Sequence, residues 1–163
     1  IFLKPLAEGC IMKSFLSFVS FFLAFSLGAG HADDKSDVQA VIDAIHAASN
    51  ENNIDKIEQH HSSEATEFNW WGGPLRKRDW EESRDWVKDG GKWKVERGKI
   101  EIEIHGTTAI VTGYEKFEVL PPDEGWREGL GRYTWVLCSG KDGDRAWKVV
   151  HKHNSRGTFV PAD

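Results

Sequence analysis

The sequence predicts an α+β domain in which three helices precede a long antiparallel meander. Three observations carry this. Val38, Val41, Ile42, Ile45 and Ala48 recur at the i, i+3, i+4, i+7 spacing of one helical face. Ile100, Ile102 and Ile104 alternate with Glu101 and Glu103, the mark of a strand with one wet face. Turn residues at 105–108, 121–125 and 142–143 then divide the second half of the chain into consecutive strands.

The first helix is predicted over Asp37–Asn50, capped by Ser36 or Asp37. A shorter one follows from Asn53 to His61 around Ile54 and Ile57. Ala65 to Trp71 alternates like a strand and stops at Gly72-Gly73-Pro74. The third helix is predicted over Lys77–Lys88, with Trp80, Arg84 and Val87 at helical spacing and Gly90-Gly91 ending it. Strands are predicted over Trp93–Ile104, Ala109–Leu120, Trp126–Cys138 and Arg145–Asn154, the last two joined by the Asp142-Gly143 turn. Such a sheet curls around the helices as a cone.

Before these elements, Met12-Lys13 is followed by an apolar run from Phe15 to Leu27 and by the small residues Gly28, Ala29, Gly30 and Ala32. That order predicts a secretory signal peptide cleaved after Ala32, and hence a secreted or periplasmic protein with no membrane span. Residues 1–11 fit an n-region poorly, since Glu8 is acidic, and are expected to be upstream sequence or a fragment boundary. Cys10 precedes the apolar run, which disfavours a lipoprotein site. The expected mature part, residues 33–163, is one domain. It holds all eight Trp, an ample aromatic core. Cys138 is its one cysteine, so no internal disulfide forms, and its strand-like setting predicts a small buried hydrophobe. Losing Lys4, Lys13 and Glu8 shifts the formal charge from −5 to −6, which argues against nucleic acid as a partner. The basic cluster Arg76-Lys77-Arg78 is followed at once by Asp79, Glu81 and Glu82 and reads as a solvated helix start.

The chemistry-bearing segment is Trp147-Lys-Val-Val-His151-Lys-His153-Asn-Ser155. Uninterrupted period-2 spacing puts Trp147, Val149, His151, His153 and Ser155 on one face, with the two imidazoles about 7 Å apart. The mature chain resembles the SnoaL-like, DUF4440-type branch of the NTF2-like superfamily. The resemblance rests on Asn52 to Ile57, Ser63 to Phe68, the hairpin Ile104 to Gly113, Arg132-Tyr133-Thr134 and, most specifically, Trp147-x-x-x-His151-x-His153-x-Ser155. It implies a ketosteroid isomerase-like cone, a homodimer through the outer face of the sheet, and a deep apolar pocket for a small-molecule ligand, with no cofactor. Relatives include isomerases, dehydratases, cyclases and proteins that catalyse nothing known, so the fold alone does not give the reaction.

His151 and His153 are accordingly the candidate general acid and base, imidazole being readily tuned near neutral pH. Arg132, Thr134 and Tyr114 are candidate polar ligand contacts, and Trp70 or Trp71 the apolar wall. The alternative is that the histidines only line the pocket. A His-x-His pair with His60-His61 is a zinc pattern, but no carboxylate is clearly placed beside it and no metal is expected. An isomerase site would need an acid in an apolar pocket. Glu115, Glu118 and Glu128 are available, without a match to the catalytic positions of ketosteroid isomerase. Three functions follow: a ligand-binding domain, a cofactor-free isomerase, dehydratase or cyclase, and an oligomerisation module.

Overall fold

The computed structural model describes residues 29–70, 72–140, 146–156 and 160–161 of the chain. The apolar run expected as a leader, Trp71 and the Asp142-Gly143 turn lie outside the described residues.

Helix α1 spans Ala29–Asn50, starting earlier than Asp37, so neither Ser36 nor Asp37 caps it. No proline interrupts the stretch before Asp37, and nothing there forces the helix to begin later. Its predicted apolar face is real: Val38, Ile42, Ile45 and Ala48 are buried against the sheet. Helix α2 (Ile54–Glu58) starts at Asn53, whose side chain accepts from the Lys56 amide at 3.1 Å. Strand β1 follows over His61–Phe68, and β2 over Arg76–Lys77. The third helix, α3, spans only Trp80–Lys88. Asp79 takes the cap by accepting from the Glu82 amide at 3.0 Å, and Arg76 and Lys77 pair with β1 instead. The basic cluster is therefore not a helix start.

Strands β3 (Lys92–His105), β4 (Thr108–Leu120), β5 (Arg127–Ser139) and β6 (Trp147–Arg156) form the meander, and the short β7 (Val160–Pro161) pairs with β5. The strand order is β2-β1-β6-β5-β4-β3, with β1 parallel to β6 and every other pair antiparallel. The result is the curved α+β cone that the sequence predicts. The helices cover its concave face, where Val111, Tyr133, Trp135, Leu137 and Val149 join the face of α1 in one core. Cys138 is half-buried, less enclosed than expected, and its Sγ lies 3.9 Å from Thr108 Oγ1.

Three register shifts bend the sheet. One lies in β3 between Arg97 and Ile100, one in β1 between His61 and Thr66, and one in β6 between Val149 and His151. Extra residues in one strand of a pair increase local twist and bend that strand. At the mouth of the cone, two asparagines act as strand mimics. Asn50 accepts from the Val95 amide at 2.7 Å and donates to its carbonyl at 3.0 Å. Asn52 does the same with Trp93, at 2.8 and 3.2 Å. Together they tie the end of α1 to the start of β3.

Candidate functional site

The shift in β6 decides which side chains reach the cavity. Val149 lies opposite Leu137, whereas His151 lies opposite Val136, so Val150 is an extra residue in the ladder. Leu137 and Val136 point to opposite faces, and Val149 and His151 must do so too. Trp147 and Val149 are therefore buried in the core, while past the bulge Lys152 and Asn154 take the inner face. The single row from Trp147 to Ser155 that period-2 spacing predicts does not exist.

Under the helices lies a cavity of about 240 Å³. Its walls include Trp70, Trp86, Trp93, Phe117 and Trp135, with Glu115, Lys152 and Asn154 among its polar groups. Glycine makes room for one wall. A Cβ on Gly131 would sit 2.3 Å from the Trp70 indole, which instead lies against the strand and packs on Phe117, ring centroids 4.7 Å apart. Trp86 from α3 stacks on Trp93 at 4.9 Å, and Trp80 sets its edge on His61 at 4.8 Å. Both tryptophans of α3 are thus partly buried against the domain, in different places.

Two carboxylates enter this interior. Glu67, only 1% exposed, is held by Arg78 Nη1 at 2.6 Å and by Arg76 Nε at 3.2 Å, and Arg76 also pairs with Glu82 at 2.6 Å. Burial alone would push the Glu67 carboxyl up, but Arg78, with Lys152 and Arg76, outweighs it and holds it below the ordinary range. Glu115 on β4 is also buried, yet it makes no hydrogen bond or ion pair among the described residues. Burial pushes it up to about 7, against the field of Lys152.

Lys152 faces the same cavity with its Nζ 4.1 Å from the centre of the Trp135 ring. It has no hydrogen bond or ion pair among the described residues either. Burial and the nearby Arg78 bring it down to about 8, against Glu67 and Glu115. Trp135 is fixed from three sides. Its Nε1 donates to Asn154 at 3.2 Å, the His46 ring of α1 stacks on it at 5.7 Å, and Tyr133 packs beside it at 4.9 Å. His46 is kept neutral, brought down to about 4 by burial, Lys152 and Arg97, and its buried Nε2 has no hydrogen-bond partner among the described residues. The same holds for the buried Tyr133 hydroxyl. An aromatic chamber with a free amine and a proton-holding carboxyl can enclose a flat apolar molecule and exchange protons with it.

Comparison with known families places this architecture. The SnoaL-like domain profile matches residues 38–160. The chain belongs to the SnoaL-like domain family. Solved structures share the cone, one of them an NTF2-like protein. A provisionally named scytalone dehydratase from Novosphingobium aromaticivorans superposes with a TM-score of 0.67 at 10% identity, covering 83% of this chain and 91% of that one. Hexachlorocyclohexane dehydrochlorinase from Novosphingobium barchaimii gives 0.65 at 11% identity, covering 82% and 93%. An NTF2-like protein from Cytophaga hutchinsonii gives 0.63 at 14%, covering 76% and 98%. At these identities the likeness is one of fold. A comparison with curated proteins finds no match.

Within this SnoaL-like domain the residues predicted from sequence separate into two groups. Trp70 lines the inner cavity. His153, Arg132, Thr134 and Tyr114 line a different depression, on the outer face of the sheet, together with Lys99 and Ser155. His151 is on that outer side as well, its Nδ1 2.9 Å from Thr66 Oγ1 and its ring edge-on to Phe68. The bulge at Val150 is the reason, and Arg132, Thr134 and Tyr114 alternate with inward-facing Gly131, Tyr133, Gly113 and Glu115. Among the described residues no three His, Cys, Asp or Glu side chains gather into a possible metal site.

Sequence reasoning missed Lys152, Asn154, Trp135, Glu67, Arg78 and His46 as cavity or cluster residues. One signal was readable. Val111, Gly113, Glu115, Phe117 and Val119 share one strand phase, and Glu115 is the single charge on that inner face.

Proposed function

We propose that this SnoaL-like domain binds a small, partly apolar ligand in the cavity of its cone. The observation that carries this reading is the chamber itself, walled by Trp70, Trp86, Trp93, Phe117 and Trp135 and holding Lys152 and Glu115 without direct partners among the described residues. The charges of Arg76 and Arg78 are already met by Glu67 and Glu82, and burial favours the uncharged forms of both Lys152 and Glu115. Such a lining favours a neutral molecule with one polar group. A titration with a neutral aromatic such as 2-naphthalenemethanol, followed by tryptophan fluorescence, should saturate. Loss of saturation in Gly131→Val, which drives the Trp70 indole into the cavity, locates the ligand there. A wild-type protein that shows no saturable change with any neutral aromatic contradicts the reading.

A second reading, a cofactor-free isomerase, dehydratase or cyclase, is favoured by Glu115, whose raised pKa suits proton exchange near neutrality. Turnover lost in Glu115→Gln with ligand affinity kept would support it.

We also propose export and homodimerisation. The apolar run from Phe15 to Leu27 supports export, and N-terminal sequencing of the secreted protein tests it. Exposed Tyr114, Leu130 and Phe68 on the outer face of the sheet support association through that face. Sedimentation should give a dimer that Tyr114→Arg weakens.

A further inference from the structure

We propose that Lys152 is an imine-forming nucleophile, and that the ligand class of the cavity is an aromatic or alicyclic aldehyde or ketone. The inference rests on the cavity being a ligand site and adds the reactive group and the chemical class.

Three observations support it. The Lys152 Nζ lies against the face of Trp135 and has no hydrogen bond or ion pair among the described residues. Desolvation in an aromatic pocket and a neighbouring cation are the two circumstances that leave a lysine amine unprotonated and nucleophilic, and Lys152 has both, the cation being Arg78. Arg78 is held in place by Glu67 at 2.6 Å. Second, Glu115 shares the cavity, and burial pushes its carboxyl up to about 7, where it can give and take a proton. Third, the remaining lining is aromatic and the fixed charges balance, which suits a neutral carbonyl compound.

The step balances without an oxidant or reductant. The Lys152 amine adds to the carbonyl carbon, forming a C–N bond while the C–O π pair moves to oxygen. Glu115 gives its proton to that oxygen and then takes one from the ammonium nitrogen, leaving a neutral carbinolamine. Glu115 protonates the hydroxyl again, the C–O bond breaks, water leaves, and the nitrogen lone pair completes the C=N bond. An amine, a carbonyl and a carboxylic acid have become an iminium, a carboxylate and water. Hydrolysis runs the same path in reverse. Glu115 is the proton carrier in this scheme and Trp135 positions the amine.

The test is reductive trapping. The purified protein is incubated at pH 7.5 with 2-naphthaldehyde and sodium cyanoborohydride, then digested and mapped by mass spectrometry. In parallel, fluorescence titrations use 2-naphthaldehyde and 2-naphthalenemethanol, which lacks the carbonyl. The expected result is one dominant adduct at Lys152, at least roughly tenfold above any exposed lysine, since each unit of lowered pKa raises the free-amine fraction about tenfold. Lys152→Arg should lose that adduct and still bind the alcohol. The wild-type peptide map decides the matter even if this variant folds poorly. If both compounds saturate the fluorescence while the adducts spread over exposed lysines, the imine proposal is overturned and the binding reading stands. If neither compound binds and Lys152 is not labelled, both fall.

Discussion

Two glutamates point into one interior and end in opposite states. Glu67, on β1, meets two guanidinium groups and stays ionised, whereas Glu115, on β4, meets none and holds its proton up to about 7. Their burial is nearly equal, at 1% and 5% exposure, so burial does not separate them. What does is the presence of partners. The clamp on Glu67 comes from β2 and the residue after it, which deliver Arg76 and Arg78 on either side of Lys77, while the ladders set Gly131 of β5 and Arg97 of β3 opposite Glu115, and Arg97 pairs with Asp43 instead. A buried charge whose partner is built in serves the fold; one without a partner is left available to a ligand.

The largest effect should come from unmaking the clamp. Arg78→Ala leaves Glu67 buried with Arg76 alone, and urea unfolding at pH 7 should show a loss of about 3 kcal/mol. Such a loss would make Glu67 resemble Glu115. A loss under about 1 kcal/mol would mean the clamp contributes no more than a surface ion pair.

Next in size is pH dependence. His46, brought down to about 4, and His61, well below its ordinary value, bind protons more weakly folded than unfolded. Their contribution is present above about pH 6.5 and is lost as pH falls through that value toward 4. Glu115 acts oppositely, because its folded value of about 7 lies above its unfolded 4.5. Its proton stabilises the folded state below about pH 4.5, and that contribution is lost as pH rises through 7. Between about pH 6.5 and 4.5 the carboxyl therefore offsets part of the histidine loss. Glu115→Gln removes the offset, and its stability should fall on acidification more steeply than wild type, by up to about 1.4 kcal/mol per pH unit. Parallel profiles for the two proteins would show that Glu115 does not hold its proton.

Smaller effects concern the chamber. Gly131→Ala brings a methyl against Trp70, costing about 1–3 kcal/mol in stability and weakening any aromatic ligand. Lys152→Met removes an unpaired amine from an aromatic setting and should change stability by less than about 1 kcal/mol, in either direction, while ending reductive trapping. A large loss of stability there would make Lys152 a structural group like Arg78.

The sequence and the structure agree where periodicity is unbroken. The face of α1 and the Ile100–Ile104 alternation of β3 are where their spacing predicts them. They part at Val150. One extra residue in β6 reverses every side chain after it, so His151 and His153 leave the pocket and Lys152 and Asn154 enter it. A bulge without glycine or proline has no signature in the sequence itself. The clamp on Glu67 was equally hidden, since Arg76-Lys77-Arg78 beside acidic residues has the pattern of a helix start, and only the pairing of β2 with β1 turns it inward. Glu115, the lone charge in an apolar strand phase, was legible.

The most direct test of the contrast is a pH titration of the glutamate side-chain carboxyls by carbon-13 NMR, with Glu67→Gln and Glu115→Gln used to assign the two signals. The account predicts one buried carboxyl that titrates below the ordinary range and a second that titrates near 7. Two carboxyls titrating together in the ordinary range would contradict it.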